Sequence, residues 1–215
     1  MDLGFIGQQL PALLNATWIT VQLTVWTLVV STVAALPLAI LRMQEGTIGA
    51  RLVAWYSALM RAIPTLVVLF FAYYALPQLG VVLPAFETAL IGLALSATAY
   101  NLEIFRAGFK AVSPGQFEAA RALGVPAWRI WWNVAVPQAL PVIVPTYLSN
   151  ATLVLKGTSV ASIITISELT AVANEIVSAT YRPFEVLMVA AAFYVAMGGV
   201  LSLLAILVAR RWAIR

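Results

Sequence analysis

Long stretches without a charged residue alternate with short polar segments along this chain. Asp, Glu, Lys and Arg are absent from residues 16–41, 62–86, 88–102, 130–155 and 186–209. A helix of about 20 apolar residues crosses a hydrocarbon core of about 30 Å, so the pattern predicts five membrane-spanning helices within a single domain over residues 1–215. The third stretch is short, and Glu103 and Arg106 can extend it if they face protein or water rather than lipid.

The composition excludes a soluble globular domain. Hydrophobic residues make up 63% of the chain and charged residues 9%, and the mean hydropathy is +0.98. Since the sequence has no histidine and no cysteine, imidazole and thiolate chemistry, most zinc sites and disulfide bonds are ruled out. No paired acids or activated serine stand out, so we predict no catalytic and no metal-binding residue. A membrane-embedded enzyme acting on lipids therefore ranks far behind a transport function.

Basic residues are concentrated on one side of the predicted spans. The first loop, the third loop and the C-terminus hold Arg42, Arg51, Arg106, Lys110, Arg121, Arg129, Arg210, Arg211 and Arg215. The opposite loops hold Arg182 as their basic residue, together with several acids. Because short loops rich in Lys and Arg remain in the cytoplasm, the pattern predicts an external N-terminus and a cytoplasmic C-terminus, as an odd number of spans requires.

A polar segment of about residues 107–137 separates the third span from the fourth. Ser113 and Gln116 have the spacing of a capping box, and Gly124 suits the left-handed residue that ends a helix. Pro126 favours a second short helix over the sequence AWRIWWNV. Both helices are too short to cross a membrane. Physical reasoning alone leaves two alternatives open: the pair lies on lipid headgroups, or it docks onto another protein.

Two other features indicate interruptions of the spans. Pro64, in the sequence RAIP, predicts a bend near the start of the second span, because proline disrupts the preceding helical turn. Residues 157–183 are too long for a simple connector, and their apolar part is too short to cross the membrane. We therefore expect a partly re-entrant or interfacial segment there.

The polar segment resembles the EAA loop of ATP-binding cassette (ABC) importer permeases. The stretch EAARALGVPAWRIWWNVAVPQALP, residues 118–141, carries the residues of that pattern, which are Glu118, Ala119, Ala120, Gly124, Ile130, Val136 and Pro137, with valine in place of the usual leucine at position 136. Three further stretches are similar to segments of the polar amino-acid uptake branch: MRAIPTLVVLFFAYYALPQLG (60–80), SATAYNLEIFRAGFKAV (96–112) and NATLVLKGTSVASIITISEL (150–169). On these segments the chain is identified as a member of the type I importer permeases, in that branch.

This resemblance implies an all-α permease fold in the bacterial inner membrane and a set of partners. The EAA loop of such permeases is a coupling helix that sits in a groove of the ATPase, which here assigns ATPase coupling to Glu118, Ala119, Ala120, Arg121, Gly124 and Arg129. The family implies a second permease chain, identical or different, two ATPase chains and an extracytoplasmic substrate-binding protein, with lipid around the spans and no nucleic acid. No G-x-x-x-x-G-K-S/T motif occurs in the sequence. We therefore expect ATP and Mg²⁺ on the partner ATPase, and neither cofactor nor enzymatic activity in this chain.

Ionisable residues within the spans indicate where a solute would pass. A charge near the bilayer centre costs at least about 2.5 kcal/mol on insertion scales, so such residues are functional candidates. Glu103 and Lys156 meet this description, and with their polar neighbours they define a predicted substrate pathway of Tyr100, Asn101, Glu103, Lys156, Thr158 and Ser159. An amino acid offers an ammonium group to Glu103 and a carboxylate to Lys156. The alternative is that Glu103 is simply neutralised by Lys156 or Arg106.

The prediction is a permease subunit that imports polar amino acids or related zwitterions by alternating access. A separate ATPase drives it through the helix pair at residues 114–133. Gly157 stands where family members often carry Asp or Asn, which argues against Arg, Lys or His as the substrate and leaves opines and other zwitterions open. The alternative is an ion-gradient-driven transporter or channel, which would keep the spans and the charged residues but would not need the capped helix pair.

Overall fold

The computed structural model describes residues 2–213, and this part of the chain is helical without a β-strand. The α-helices are α1 (Leu3–Met43), α2 (Ile48–Ala62), α3 (Thr65–Phe70), α4 (Ala85–Lys110), α5 (Pro114–Ala122), α6 (Ala127–Ile130), α7 (Val136–Gly157), α8 (Leu169–Thr180) and α9 (Pro183–Ala213). Residues 71–75 and 131–135 form π-helical turns, and residues 76–79 and 158–164 form 3₁₀ turns. The predicted all-α class is confirmed. Arg215, counted above with the basic residues of the C-terminus, lies outside the described residues.

Four helical segments are long and apolar enough to span a membrane: residues 4–43, 85–110, 127–164 and 183–210. Helices α2 and α3 pass the same test only as a pair, and they are bent by 100° at the break between them. Counting the pair as one span gives the five spans that the charge-free stretches predict. The break contains Pro64, which has no N–H to continue the hydrogen bonds of α2, and the predicted bend is confirmed.

Helix α4 lies at the centre of the bundle, between α1 and α7. Many of its buried positions carry small side chains that let neighbouring backbones approach closely: Thr88, Ala89, Gly92, Ala94, Ser96, Ala97, Thr98, Ala99 and Gly108. At Gly108 an added Cβ would overlap the side chain of Ile143 on α7, and at Gly92 it would lie 2.7 Å from Leu69 on α3. The missing side chains at these two glycines therefore set the distance between α4 and its neighbours.

Two buried clusters hold the opposite ends of the bundle. One joins α1, α2, α4 and α7 around Phe105 and Phe109, and α5 packs against it through Phe117. The other joins α1, α8 and α9 around Leu13 and Leu169. We call these the α5 end and the α8 end. Burial of these apolar side chains is what attaches the short helices α5 and α8 to the long ones, because a helix shorter than about 12 to 15 residues is marginal without packing.

A surface ion pair joins two turns at the α5 end. Lys110, the last residue of α4, lies 2.6 Å from the carboxylate of Glu45 in the turn between α1 and α2. The hydrogen bond from Lys110, followed by its positive charge, holds the pKa of the Glu45 carboxyl below its usual value. Both side chains are exposed, so the pair contributes little to stability.

The connection at the α5 end departs from the sequence prediction. Helix α4 continues through Glu103 and Arg106, as expected, but it runs on to Lys110, so the segment outside the long helices covers 111–126 rather than 107–137. The second short helix is not separate either, because α6 runs through the π turn directly into α7. That turn ends two residues before Pro137. Its wider backbone accommodates the proline ring, which would otherwise clash with the carbonyl four residues earlier.

Helix α5 begins and ends at the predicted residues but lacks the capping box. Pro114 occupies its first turn, and the Ser113 side chain makes no capping hydrogen bond. Gly124 has φ of +70° and donates its N–H to the carbonyl of Arg121 (2.9 Å). Glycine suits this position because a Cβ would be strained in the left-handed conformation.

The segment after α7 does not cross the bundle. Its 3₁₀ turn at residues 158–164 packs against α3, α4 and α7, and the twelve-residue helix α8 packs against α1 and α9. This arrangement fits the interfacial alternative of the prediction for residues 157–183.

Gly108→Ala tests the close approach of α4 and α7. The added methyl group overlaps Ile143, so we expect a loss of about 1 to 3 kcal/mol of stability from overpacking. The measurement is the midpoint of thermal unfolding of the purified chain in detergent. Gly199→Ala is the control, since nothing lies within 4 Å of a Cβ at that position. Adding Ile143→Ala to Gly108→Ala should recover part of the lost stability, because it removes the side chain that the new methyl group overlaps. Equal midpoints for Gly108→Ala and Gly199→Ala would contradict the packing argument.

Candidate functional site

A cavity of about 220 Å³ opens between α3, α4 and α7. Its wall consists of Thr65, Leu93, Ser96, Ala97, Tyr100, Asn150, Leu153, Val154 and Gly157. No charged side chain is in this set. The polar groups that reach it are hydroxyls and one carboxamide, so the wall can hydrogen-bond a small polar molecule but offers it no ion pair.

Three buried polar side chains connect the cavity wall to the centre of the bundle. Nδ2 of Asn150 on α7 donates to Oδ1 of Asn101 on α4 (2.9 Å), and Nδ2 of Asn101 donates to Oγ of Ser31 on α1 (2.9 Å). We call this set the Asn101 bridge. Asn101 and Ser31 are fully buried. Since an unpaired amide is costly in a water-free interior, the bridge favours one relative placement of the three helices and of Asn150 at the wall.

Ser96 and Tyr100 supply the polar groups of α4 at the cavity. They are four residues apart, so they lie on the same face of the helix. Tyr100 is partly exposed, whereas Ser96 is buried and its Oγ has no hydrogen-bond partner within the described part of the chain. Buried hydroxyls without a partner are uncommon in proteins, so Ser96 keeps an unused hydrogen-bonding group beside the cavity.

Glu103 is engaged by its own helix and by α2 rather than by Lys156. Arg106 approaches its Oε2 to 2.6 Å, and Oγ of Ser57 donates to its Oε1 (3.1 Å). Arg61 joins the group by donating Nε–H to the backbone carbonyl of Ser57 (3.2 Å). The neutralising alternative for Glu103, with Arg106 as its partner, is therefore the arrangement found here.

Glu103 and Lys156 lie at different depths in the bundle. Asn101 and Asn150 are hydrogen-bonded and so share one level. Glu103 follows Asn101 by two residues toward the α5 end, and Lys156 follows Asn150 by six toward the α8 end, which separates them by about 12 Å along the helix axes at 1.5 Å per residue. The ammonium and carboxylate groups of one amino acid are attached to the same carbon and do not span that distance.

The other predicted pathway residues surround the end of α7. Lys156 is exposed, Thr158 is fully buried, and Ser159 is half-buried. The hydroxyls of Thr158 and Ser159 donate to backbone carbonyls of Leu155 and Lys156, at 2.7 Å each. Of the six predicted residues, Tyr100 lines the cavity and Asn101 supports its wall, while the remaining four lie outside the lining.

Ser96 and Asn150 are cavity residues that the sequence prediction missed. Both stand within quoted family segments, and each is a polar residue inside an apolar stretch. That signal is weak by itself, because hydroxyls and amides on membrane helices also serve packing. Only the shared cavity distinguishes these two from the other polar residues of α4 and α7.

Helix α5 presents a mixed surface at its own end of the bundle. Of the six residues assigned to coupling, Glu118, Ala119, Arg121, Gly124 and Arg129 are exposed and Ala120 is buried. Leu123 is 82% exposed beside them. A single exposed leucine does not by itself mark a binding surface, so the coupling role of these residues stays a prediction from the family resemblance.

Aromatic contacts attach this surface to the helices behind it. Phe117 of α5 meets the ring of Trp131 edge-on, with centroids 6.0 Å apart, and Trp131 meets Phe109 of α4 in the same way at 5.4 Å. The guanidinium of Arg129 lies over the ring of Trp128 at 5.1 Å. Such packing fixes the position of α5 against α4 and the α6–α7 helix.

Comparison with known proteins gives the class of this molecule. The family described as "Binding-protein-dependent transport system inner membrane component" matches residues 28–213. The nopaline transport system permease NocM of Agrobacterium fabrum is 37% identical over 218 residues, which cover 96% of this chain and 90% of that protein. The octopine transport system permease OccM of Rhizobium radiobacter is 33% identical, with 99% and 90% covered.

Two solved structures share the fold. The crystal structure of an amino acid ABC transporter with histidines superposes with a TM-score of 0.89 at 33% identity, covering 98% of this chain and 99% of that one. An inward-facing MetNI methionine ABC transporter gives a TM-score of 0.79 at 18% identity, covering 95% and 97%, which is a likeness of fold alone.

The chain therefore belongs to the family of binding-protein-dependent transport system inner membrane components. It is a multi-pass ABC importer permease of the polar amino-acid branch, as the EAA loop and the three other stretches predicted. Membership implies ATPase, second-permease and substrate-binding-protein partners. Nothing favours the ion-gradient alternative.

Asn101→Ala tests the Asn101 bridge. The substitution leaves the amide of Asn150 and the hydroxyl of Ser31 without their partner, so we expect a loss of about 1 to 3 kcal/mol of stability. The midpoint of thermal unfolding in detergent reports this loss. Asn174→Ala, at an exposed position of α8, is the matched control. If both variants unfold at the same temperature, the bridge does not hold the three helices together.

Proposed function

We propose that this permease imports a polar amino acid or a related zwitterion through the cavity at Tyr100 and Asn150. The observation that carries the proposal is the position of this uncharged cavity beside the Asn101 bridge, on a helix that continues to the coupling surface. The nopaline and octopine permeases among its relatives support an amino-acid derivative as cargo.

The α5 end faces the cytoplasm in this proposal, and the α8 end faces outward. The basic residues support that orientation, since Arg42, Arg51, Lys110, Arg121 and Arg129 belong to the turns and helix ends at the α5 end. Lys and Arg in short loops are retained on the cytoplasmic side. The membrane is then the bacterial inner membrane, with the N-terminus outside and the C-terminus inside.

The α6–α7 helix transmits the movement of the ATPase to the cavity. Arg129 and Asn150 lie on one uninterrupted helical segment, about 30 Å apart at 1.5 Å per residue. A displacement of the α5 surface, carrying Glu118, Ala119, Ala120, Arg121 and Gly124, reaches the wall as a rigid-body movement and switches access from one side to the other. ATP and Mg²⁺ bind the partner ATPase, and this chain forms the solute path together with a second permease chain.

The wall of the cavity favours a neutral group of the substrate. Ser96, Tyr100 and Asn150 offer hydroxyl and carboxamide partners, and no carboxylate is available to pair with a cationic side chain. Gly157 keeps the wall open, since nothing lies within 4 Å of a Cβ at this position. Amino acids with a neutral polar side chain are accordingly preferred to those with a cationic side chain, such as arginine or lysine.

Co-purification tests the assembly and the coupling surface together. The tagged chain, isolated from its native membrane, should carry an ATPase and a substrate-binding protein, and the combined variant Glu118→Ala, Gly124→Val should bind the ATPase roughly tenfold more weakly. Gly124→Val strains the residue that ends α5 at φ of +70°. Glu175→Ala, which removes an exposed carboxylate on α8, is the control. Uptake that continues without any ATPase chain would instead favour the ion-gradient alternative.

Gly157→Asp tests the specificity of the cavity. The new carboxylate enters open space at the wall, so we expect arginine to gain roughly tenfold over glutamine as a competitor for uptake, because a charge pair is strong where water is scarce. Gly157→Asn is the matched control, with the same size and no charge. Identical competition profiles for the two variants would show that residue 157 does not contact the substrate.

A further inference from the structure

Glu168 is a fully buried carboxylate that has no cation at salt-bridge distance among the described residues. It precedes α8, and its Oε1 accepts the backbone N–H of Ala171 (2.8 Å), which is the hydrogen bond of a helix N-cap. Its Oε2 points elsewhere and accepts the hydroxyl of Tyr194 on α9 (3.0 Å). One carboxylate thus joins the start of α8 to a different long helix.

Two threonines complete the group, which we call the Glu168 cluster (Thr20, Glu168, Thr170 and Tyr194). Oγ1 of Thr20 on α1 accepts the backbone N–H of Leu169 (3.1 Å) and lies 3.5 Å from Oε2 of Glu168. Oγ1 of Thr170 lies 2.9 Å from the hydroxyl of Tyr194. The cluster therefore ties α1, the start of α8 and α9 together at one point.

The choice of a carboxylate here is not explained by helix capping alone. Serine, threonine and aspartate cap helices with a single oxygen, whereas Glu168 uses its second oxygen on α9. Burial raises the pKa of Glu168 above its usual value, and hydrogen bonds from the N–H groups of Thr170 and Ala171 and from the two hydroxyls oppose that rise. Burying the Glu168 carboxyl costs free energy. The use of both of its oxygens, one on α8 and one on α9, gives a reason for a carboxylate at this position.

The cluster reaches the substrate cavity along the chain. Gly157 of the cavity wall begins the segment that Glu168 ends, and Thr158, which directly follows Gly157, is fully buried. Residues 158–164 then pack into a buried cluster through Ala161 and Ile164, which are also fully buried. The segment from 157 to 168 is therefore anchored in its middle by this packing and at its last residue by Glu168.

The opposite face of this segment is exposed at the α8 end. Asn174, Glu175 and Ser178 are exposed on α8, and they share a shallow surface depression with Ser162 and Ile163 of the preceding turn. The same short stretch of chain therefore has the cavity on one side and an open polar surface on the other.

We propose that Glu168 is a positioning residue for transport: by tying the end of residues 157–168 to Thr20 on α1 and to Tyr194 on α9, it holds this segment so that the Gly157 wall of the cavity keeps its shape. Glu168 does not touch the substrate. The inference rests on the proposed function, because it assigns the cavity to the transported solute. In this proposal Glu168 influences the specificity of the cavity although it is not one of the residues that line it.

Uptake kinetics separate positioning from a purely structural role. The assembled transporter is reconstituted in proteoliposomes with radiolabelled glutamine and nopaline as probes. Tyr194→Phe removes one hydroxyl and leaves the N-cap bond intact, so we expect its KM to rise roughly tenfold at an unchanged maximal rate. Glu168→Ala should raise KM at least as much, and adding Tyr194→Phe to it should raise KM no further, because both variants break the same connection.

Two further variants serve as controls. Glu168→Gln keeps an oxygen for Ala171 and an amide for Tyr194, so it should restore a KM close to that of the wild type. Glu175→Ala removes an exposed carboxylate from the same helix and should leave KM unchanged. Glu168→Ala and Tyr194→Phe could instead lower only the yield or the thermal midpoint of the assembly. The proposal is overturned if the transporter that remains has the same KM as the Glu175→Ala variant.

A labelling experiment keeps this test independent of the substrate. The chain contains no cysteine, so Gly157→Cys introduces a single reporter at the cavity wall, and its maleimide labelling is followed by mass spectrometry of this chain. Tyr194→Phe should change the labelling rate several-fold, whereas Glu175→Ala should not. Absence of ATP-dependent uptake of both probes by the wild type contradicts the proposed cargo alone, while an unchanged labelling rate in Tyr194→Phe contradicts the role of Glu168.

Discussion

The central constraint on this molecule is that polar groups inside a water-free bundle must satisfy one another. Asn101 meets it by bonding to Ser31 on α1 and to Asn150 on α7, which fixes α4 between its two neighbours. An unpaired amide in such surroundings costs free energy, so the three helices have one favoured register. The cavity follows from that register, because Asn150 faces it from one side and Tyr100 from the other.

Small side chains make this arrangement possible. Gly108 and Gly92 allow α4 to approach Ile143 and Leu69 more closely than any side chain would permit. Where the helices separate again, the space that remains is the cavity. The continuity of α6 with α7 then gives the α5 surface a direct mechanical connection to the cavity wall, with Trp131 packed against Phe117 and Phe109 where the two meet.

The carboxylates of Glu103 and Glu168 contribute to helix packing in this permease. Glu103 is paired with Arg106 and Ser57, and Glu168 is bound by a backbone N–H and by hydroxyls. Both carboxylates connect helices rather than line the cavity. In the proposed function, a solute path lined by hydroxyls and a carboxamide binds a polar molecule without strong ion pairs, which favours release of the cargo.

The sequence by itself determined the helical class, the bend at Pro64, the end of α5 at Gly124 and the family, because charge-free runs, prolines, glycines and local motifs act through neighbouring residues. It assigned Tyr100, which lines the cavity, to the substrate pathway, but it also assigned Glu103 and Lys156 to a single substrate although they lie at different depths, and it treated AWRIWWNV as a separate helix. Only the tertiary structure decided that Ser96 and Asn150 share one wall, that Glu103 is paired with Arg106 on its own helix, and that Glu168 reaches Tyr194. These relations join residues far apart in the chain, and their distances depend on how closely the helices pack, which no local pattern of residues encodes.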